Sequence, residues 1–275
     1  MTEIREKYQN LLTGLKARSK VAVAFSAGVD STLLLHAACE ALGTENVLAI
    51  TGKLAAFPDR EGREAEDFCR ERGIRHITVT LNQFTVPGFE DNPLDRCYRC
   101  KKALFTAFLA TAKEAGFSLL IEGTNGDDPK GYRPGIRALA ELGVQSPLKE
   151  AALTKDEIRS LSRELGLPTA AKPSLPCLAT RFPYGERITP EKIRMADEGE
   201  RLLLSLGFRD VRVRCHEKTA RIEVDRDEIS RLASPEIRET VTKALRELGF
   251  QYVTLDLNGF RSGSWDEGLA DSRQP

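Results

Sequence analysis

The sequence predicts an α/β protein with a parallel, doubly wound sheet and a second, smaller α+β domain. Strand-like and helix-like segments alternate over residues 20–122, and a glycine-containing loop joins the first strand to its helix. A proline-rich stretch at 168–190 then separates this pattern from a different one. The larger domain is expected at 1–167, the linker at 168–190 and the smaller domain at 191–275.

The first part of the chain carries the alternating pattern. A charged helix is predicted at 2–17, followed by strands at 20–25, 47–51, 76–80 and 119–122 and by helices at 31–42, 60–72 and 101–115. Helices between successive strands cover both faces of a parallel sheet. Ligands of such sheets bind beyond the carboxyl ends of the strands. One crevice is therefore expected to collect the loops after Phe25, Thr51, Thr80 and Glu122.

The second part of the chain changes its pattern. A capping box, Thr154 to Glu157, opens a helix that ends near Gly166, and five prolines follow by residue 190. Beyond them the sequence predicts a small α+β domain with a helix at 191–206, strands at 211–215 and 220–225, a helix at 235–248 and a strand at 252–257.

Composition narrows the classes of function. The 275 residues include 41 basic and 41 acidic side chains, and this balance removes the positive field that holds nucleic acids nonspecifically. The charged amino terminus lacks the apolar core of a signal peptide, and no later apolar run approaches roughly 18 residues. A cytoplasmic protein with neither a nucleic-acid partner nor a membrane span is expected.

The loop Ser26-Ala27-Gly28-Val29-Asp30-Ser31-Thr32 follows a buried strand and enters a helix. Backbone N–H groups and the helix dipole favour an anion there, so the loop predicts a phosphate site. It resembles the SGGxDS loop of the PP-loop ATP pyrophosphatases, which cleave ATP between the α and β phosphates. The resemblance implies ATP binding by Ser26, Gly28, Asp30, Ser31 and Thr32, whereas Ala27 departs from the glycine of that pattern.

A second loop, Glu122 to Asp128, follows the fourth strand and is expected to reach the same crevice. Gly123, Thr124 and Asn125 are candidate nucleotide contacts. Carboxylates coordinate Mg²⁺, which neutralises a departing pyrophosphate. Candidate magnesium ligands are Asp30, Asp127 and Asp128.

The six cysteines fall into two groups. Apolar surroundings predict that Cys39, Cys69 and Cys215 fill the core. Cys97 and Cys100 form a CxxC motif at a predicted helix start, a position that favours thiolates, and Cys177 lies among prolines. The CxxC pair is compatible with a redox dithiol, half of a zinc site or part of an iron-sulfur site, although His36, His76 and His216 are poorly placed to complete a zinc site.

Three thiolates, Cys97, Cys100 and Cys177, suit a [4Fe-4S] cluster with one open iron, which can carry an exogenous sulfide. Alternatively, Cys177 acts alone as a sulfur donor or persulfide carrier. The alternation of Arg212 and Arg214 on one strand places both guanidinium groups on one face, where they suit a phosphate or carboxylates. Arg181, four residues after Cys177, is a candidate to steady an acyl adenylate beside the sulfur.

Together these features resemble one family, the LarE sulfur transferases, which build the nickel-pincer nucleotide of lactate racemase. The resemblance also rests on segments 131–135, 141–144, 146–148, 177–185, 211–214 and 255–264. It implies that ATP and Mg²⁺ adenylate a carboxylate of pyridinium-3,5-biscarboxylic acid mononucleotide, which then becomes a thiocarboxylate. It also implies substrate contacts for Glu200 and Asp225, a homo-oligomer, and hand-off to a nickel-inserting partner.

The family uses two sulfur strategies, a sacrificed cysteine matching Cys177 and a three-cysteine [4Fe-4S] form. The CxxC motif resembles the cluster form, and the sacrificial route stays open to Cys177. Rival functions are a tRNA thiolase, an amide-forming synthetase that uses ammonia, and a nucleotide-binding sensor without catalysis.

Overall fold

The computed structural model describes residues 2–56, 59–127, 134–173 and 176–261, and the chain divides into two compact units. The first unit comprises residues 1–86 and 97–175. The second comprises 87–96 and 176–275, so a ten-residue excursion from the first half of the chain belongs with the carboxyl-terminal part.

A four-stranded parallel sheet forms the centre of the first unit. Its strands are β1 (Val21–Ala24), β2 (Val47–Leu54), β3 (Arg75–Leu81) and β4 (Leu120–Ile121), arranged in the order β3-β2-β1-β4. The chain thus winds outward through β2 and β3 and returns to the other side of β1. This reversal between β1 and β4 is the switch point at which sheets of this kind bind ligands. The predicted α/β parallel sheet is confirmed.

Seven helices accompany this sheet in the described residues of the first unit: α1 (Thr2–Lys16), α2 (Val29–Leu42), α3 (Asp59–Glu71), α4 (Arg96–Glu114), α5 (Pro134–Glu141), α6 (Pro147–Glu150) and α7 (Lys155–Glu164). The helix predicted at 101–115 begins five residues earlier, because a turn with Arg96 N–H bonded to the Pro93 carbonyl oxygen leads directly into it. Helices α5 and α6 were not predicted, since they are too short to show a helical period.

Both faces of the sheet are largely buried along β1, β4 and the first part of β2, whereas the edge strand β3 is partly exposed. Val21 and Val23 of β1 contact one apolar cluster with helices α1, α2, α3 and α7, while Ala22 between them contacts another with Phe105 and Phe108 of α4. Successive side chains of a strand point to opposite faces, so this alternation places a layer of helices on each side. The doubly wound architecture follows from it.

The second unit is the predicted smaller α+β fold. Its helices are α8 (Pro190–Ser205), α9 (Ile229–Leu232) and α10 (Pro235–Glu247), and its strands are β5 (Arg212–His216), β6 (Thr219–Glu223) and β7 (Tyr252–Leu255). The sheet order is β5-β6-β7, with β5 antiparallel and β7 parallel to β6. Among the described helices of the whole chain, none combines the length and apolarity needed to span a bilayer.

Candidate functional site

The phosphate loop lies between the end of β1 and the start of α2, at the switch point of the first unit. Ser31 Oγ accepts the N–H of Ser26 at 3.2 Å and donates to the Gly28 carbonyl oxygen at 3.2 Å, while Ser26 Oγ lies 3.1 Å away. Gly28 is the N-cap of α2 and makes no side-chain cap bond. The Ser31 hydroxyl thus holds the backbone of the loop together, and the N–H groups in the first turn of α2 can bind an anion.

Ala27 adopts a left-handed backbone conformation, with φ of 52°. Glycine accepts this conformation without steric cost, which explains why the loop pattern has glycine where this chain has alanine. The Ala27 side chain is buried, and Lys172 Nζ donates to its carbonyl oxygen at 2.9 Å while also contacting the Glu64 carboxylate. Lys172 therefore stabilises the loop at Ala27, the residue with the strained backbone.

Thr32, one of the candidate nucleotide contacts, lies inside the first turns of α2. Its side chain is fully buried, and Thr32 Oγ1 has no hydrogen-bond partner among the described residues. Ser26, by contrast, is exposed. Of the loop hydroxyls, that of Ser26 is the most accessible to a ligand.

The loop after β4 packs directly against the phosphate loop. A Cβ atom on Gly123 would lie 3.1 Å from the backbone nitrogen of Ser31 and 3.4 Å from Asp30, so only glycine allows this approach without a shift. Glu122 fixes the loop, because its carboxylate accepts bonds from Thr124 N–H at 3.0 Å, Thr124 Oγ1 at 2.9 Å and Ser146 Oγ at 2.5 Å. The expected meeting of the two loops is thereby confirmed.

An acidic cluster centred on Lys155 joins the two loops. Lys155 Nζ contacts one carboxylate oxygen of Asp30, and Asn125 Nδ2 donates to the other at 3.1 Å. The backbone N–H of Lys155 donates to Asp127 at 2.6 Å, and Asp127 N–H donates to Asn125 Oδ1 at 3.0 Å. Asp30 and Asp127 are therefore brought around one lysine, while Asp128 lies outside the described residues.

Cys97 and Cys100 lie in the first turns of α4 and are half-buried. Their spacing of three residues places both sulfurs on one helix face. Gln83 Nε2 donates a hydrogen bond to Cys100 Sγ at 3.2 Å. Between the cysteines, Tyr98 donates to Glu141 at 2.7 Å and accepts from Lys102 at 2.8 Å. These bonds fix the CxxC turn against α5.

The other cysteines separate as predicted. Cys69 and Cys215 are buried, and the half-buried Cys39 packs against the core. Burial raises the pKa of the Cys39 thiol to about 11 and the pKa values of Cys69 and Cys215 to about 12. Their role as core filler is confirmed. Within the described ranges, no three His, Cys, Asp or Glu side chains form a group that could hold a metal ion.

Cys177 begins a short 3-10 turn, Leu178–Arg181, in the second unit and is half-buried. Its carbonyl oxygen accepts bonds from Thr180 N–H at 2.9 Å and Thr180 Oγ1 at 2.7 Å. Arg181 is almost fully buried; it donates to Glu200 at 2.5 and 2.8 Å and to Thr180 Oγ1 at 2.8 Å. All three guanidinium nitrogens are thus engaged, and Arg181 supports the Cys177 turn through Thr180.

Arg212 and Arg214 share one face of β5, as the alternation predicts, but their surroundings differ. Arg214 donates to the fully buried Glu223 at 3.1 and 3.0 Å and to the Thr180 carbonyl oxygen at 2.8 Å. The Arg212 guanidinium lies 4.7 Å from the Phe260 ring centre and donates to the Val211 carbonyl oxygen at 2.6 Å.

Arg212 forms no ion pair with the carboxylates of the described residues. Burial and the nearby guanidinium of Arg181 lower the pKa of Arg212 to about 10. Within this cluster it is therefore the cation best able to gain from a bound anion. Asp225, the other acidic residue expected here besides Glu200, is exposed at the end of β6.

Gly259 places Phe260 beside Arg212. Gly259 has φ of 69°, and a Cβ atom there would lie 2.8 Å from the Val224 carbonyl oxygen. The same oxygen accepts the Phe260 N–H at 2.8 Å. The tight turn therefore explains why glycine occupies position 259 in the segment 255–264.

The chain has the parallel α/β fold of the PP-loop ATP pyrophosphatases, with the strand order β3-β2-β1-β4 and the loop between β1 and α2 at the switch point. The chain is 27% identical over 209 residues to a glutamine-hydrolysing GMP synthase component of Thermoplasma volcanium, covering 70% of this chain and 64% of that protein. No known family profile matches the chain.

Several relatives match over nearly the full length, and two of them are more than a third identical. An uncharacterized protein of Synechocystis sp. is 39% identical over 266 residues, covering 97% of this chain and 99% of that protein. The pyridinium-3,5-bisthiocarboxylic acid mononucleotide synthase of Lactiplantibacillus plantarum is 36% identical over 273 residues, covering 99% and 98%. The chain belongs to this synthase family, the LarE family, and is an enzyme.

Sequence reasoning missed three side chains of the site: Lys155, Lys172 and Gln83. Lys155 was recognised only as the first residue of a capped helix, and Lys172 only as part of a proline-rich stretch. Each acquires its role through a partner far along the chain, such as Asp30 or Ala27. No local pattern marks such a contact.

Proposed function

We propose that the chain is an ATP-dependent sulfur transferase that converts carboxylates of pyridinium-3,5-biscarboxylic acid mononucleotide into thiocarboxylates. The observation that carries this proposal is the full-length likeness to a pyridinium-3,5-bisthiocarboxylic acid mononucleotide synthase, in a chain whose loop at 26–32 is closed by the bond between Ser26 and Ser31. Formation of the thiocarboxylate replaces a carboxylate oxygen by sulfur, and that oxygen must first become a good leaving group.

ATP supplies the leaving group. A carboxylate oxygen of the substrate attacks the α phosphorus, pyrophosphate departs, and an acyl adenylate forms. The N–H groups at the start of α2 and the Ser26 hydroxyl would bind the departing phosphates, and the loop at Gly123 to Asn125 would close the other side. Because backbone dipoles are already oriented, they stabilise the growing negative charge without reorganising.

Magnesium would be held by Asp30 and Asp127, with Asp128 as the third candidate. These carboxylates suit the ion, because Mg²⁺ prefers oxygen ligands and the Asn125 side chain links the two residues, donating to Asp30 and accepting the Asp127 N–H. The ion neutralises phosphate charge when bound. Lys155 now neutralises Asp30, so binding of the ion would release its ammonium group toward the phosphates.

The negatively charged substrate would bind in the second unit. Arg212 has donors left for a phosphate or carboxylate, whereas Arg214 is held and neutralised by Glu223. Arg181 and Glu200 form the buried support beneath the Cys177 turn. The exposed Asp225 is retained as a substrate contact on the ground of the family resemblance.

Sulfur would reach the acyl adenylate through Cys97, Cys100 and Cys177. The pair on α4 fits a [4Fe-4S] cluster as two soft donors on one helix face, one of which accepts an amide N–H bond. Such a cluster supplies sulfide at an open iron. The same proposal includes a homo-oligomer and hand-off of the product to a nickel-inserting partner, on the ground of the family.

The test uses anaerobically purified protein with ATP, Mg²⁺ and the biscarboxylate substrate. Pyrophosphate, AMP and a product with one oxygen replaced by sulfur are expected. Cys177→Ala is expected to abolish sulfur insertion while leaving pyrophosphate release intact, whereas Cys215→Ala, a buried thiol substitution in the same unit, spares both. Absence of substrate-dependent pyrophosphate release would refute the proposal.

The two sulfur routes give different results in the same experiment. Iron bound by the wild type and lost in Cys97→Ala supports the cluster. Iron-free protein whose Cys177 loses its sulfur during a single turnover supports the sacrificial route.

A further inference from the structure

Gln83 is a buried polar side chain that contacts the CxxC motif from outside it. It begins a 3-10 turn, Gln83–Thr85, shortly after β3, and its exposed fraction is 0%. A buried amide needs hydrogen-bond partners for both of its ends, because each unsatisfied group carries a desolvation cost. The identity of those partners shows how the side chain is oriented.

The two partners fix the amide in one orientation. Gln83 Oε1 accepts the backbone N–H of Ala56 at 2.7 Å, and Nε2 lies 3.2 Å from Cys100 Sγ. Since a backbone N–H only donates, it must face the amide oxygen, and the NH₂ group must then face the sulfur. The direction of the bond to Cys100 therefore follows from Ala56.

The turn that carries Gln83 is itself held in place. Asn82 caps it by accepting the Phe84 N–H at 3.1 Å, and the Gln83 carbonyl oxygen accepts the Val86 N–H at 3.1 Å. The strand before it is paired with β2 up to Leu81. The amide thus points at Cys100 from a rigid frame, and not from a mobile loop.

We propose that Gln83 is a positioning residue for the sulfur chemistry. Its N–H dipole fixes the direction of the Cys100 sulfur and stabilises negative charge on it. This role rests on the proposed cluster. Gln83 would strengthen the retention of iron by the cluster. It would also raise the reduction potential of the cluster, because hydrogen bonds to ligand sulfurs favour the more negative, reduced state. An amide suits this buried place because it donates without bringing a charge that would need a partner.

The experiment compares wild-type protein, Gln83→Glu, Gln83→Met and Asn82→Asp after anaerobic reconstitution with iron and sulfide. Glu keeps an acceptor for Ala56 and lacks the donor when it is ionised, while Met lacks both donor and acceptor. Asn82→Asp adds a negative charge one residue away and keeps its cap, so it is the matched control. Readouts are iron and sulfide content, release of iron to a chelator, and the midpoint potential followed by electron paramagnetic resonance.

We expect both Gln83 variants to lose iron to the chelator at least about ten times faster than the wild type, because removing a hydrogen-bond partner of a metal ligand weakens metal binding by about that factor. Both variants should also show a more negative midpoint potential. Asn82→Asp should match the wild type. Two folded Gln83 variants with wild-type iron release and potential would overturn the role of Gln83 alone. A wild type that takes up no iron would overturn both this inference and the proposed cluster.

Discussion

The buried pair between Arg181 and Glu200 gives the sharpest test of how the second unit is held together. The perturbation is Glu200→Gln, which keeps the shape and one carbonyl oxygen but removes the charge. In the wild type, Glu200 accepts two bonds from Arg181 at 2.5 and 2.8 Å and a third from the Val213 N–H at 3.1 Å. The side chains of Arg181 and Glu200 are 2% and 10% exposed, so water cannot replace these bonds.

The expected cost follows from that burial. Removing one partner of a buried ion pair leaves the other charge uncompensated, which destabilises by about 3–5 kcal/mol. Glutamine retains part of the hydrogen bonding, so the lower value of about 3 kcal/mol applies here. That free energy corresponds to roughly a hundredfold increase in opening of the unit. The Cys177 turn should loosen as well, because Arg181 also donates to Thr180 Oγ1.

Hydrogen exchange is the appropriate assay, since a chain of two units need not unfold in one step. Amides of α8 and β5 should exchange roughly a hundredfold faster in Glu200→Gln. Glu198→Gln on the same helix is the control, because Glu198 pairs with the half-exposed Arg194 at 3.2 Å and should matter by less than about 0.5 kcal/mol. Equal protection in the two variants would show that the Arg181 pair does not stabilise the unit.

Three further predictions concern the first unit and the buried thiols. Ala27→Val should lower the free energy of unfolding in denaturant by about 2–3 kcal/mol, because a branched side chain resists the left-handed backbone in a packed site. Ala27→Gly should change it by less than about 1 kcal/mol, and equal costs for the two variants would contradict this reasoning. Lys155→Met should lower the magnesium concentration that half-saturates pyrophosphate release by about fivefold, because a cation competing for Asp30 is gone; a higher requirement would contradict it. Cys69 and Cys215 have folded pKa values near 12, raised from 9.0, so their contribution to stability is complete below pH 9 and lost as pH rises toward 12. Their alanine variants should flatten that decline in thermal melts, and unchanged slopes would contradict the assignment.

The sequence was sufficient for the parts of the fold that repeat locally. Strands such as Val21–Ala24 are short apolar runs, and the helices between them have caps and apolar periodicity, so both could be located to within a few residues. The loops around Ser26 and Gly123 could also be placed together, because carboxyl ends of parallel strands share one edge. Where the pattern is short, as in Pro134–Glu141, the prediction failed.

Charge pairing was beyond the sequence for a different reason. The alternation of Arg212 and Arg214 showed a shared face, but it could not show that Glu223, across the β5-β6 ladder, neutralises only one of them. Nor did the position of Arg181 reveal that Glu200, nineteen residues on, occupies its guanidinium. Such pairs depend on which side chains the tertiary fold buries together, and no local period records that.

Gln83 shows the same limit at a single residue. In sequence it is one polar residue after a strand, with nothing to distinguish it from a solvated turn. Its orientation depends on two partners, Ala56 and Cys100, that are 27 and 17 residues away. Only when a backbone donor takes the amide oxygen does the other end become committed to a sulfur. The chemistry of the CxxC motif is therefore shaped by a residue outside the motif, and searching for cysteine spacing alone would not find it.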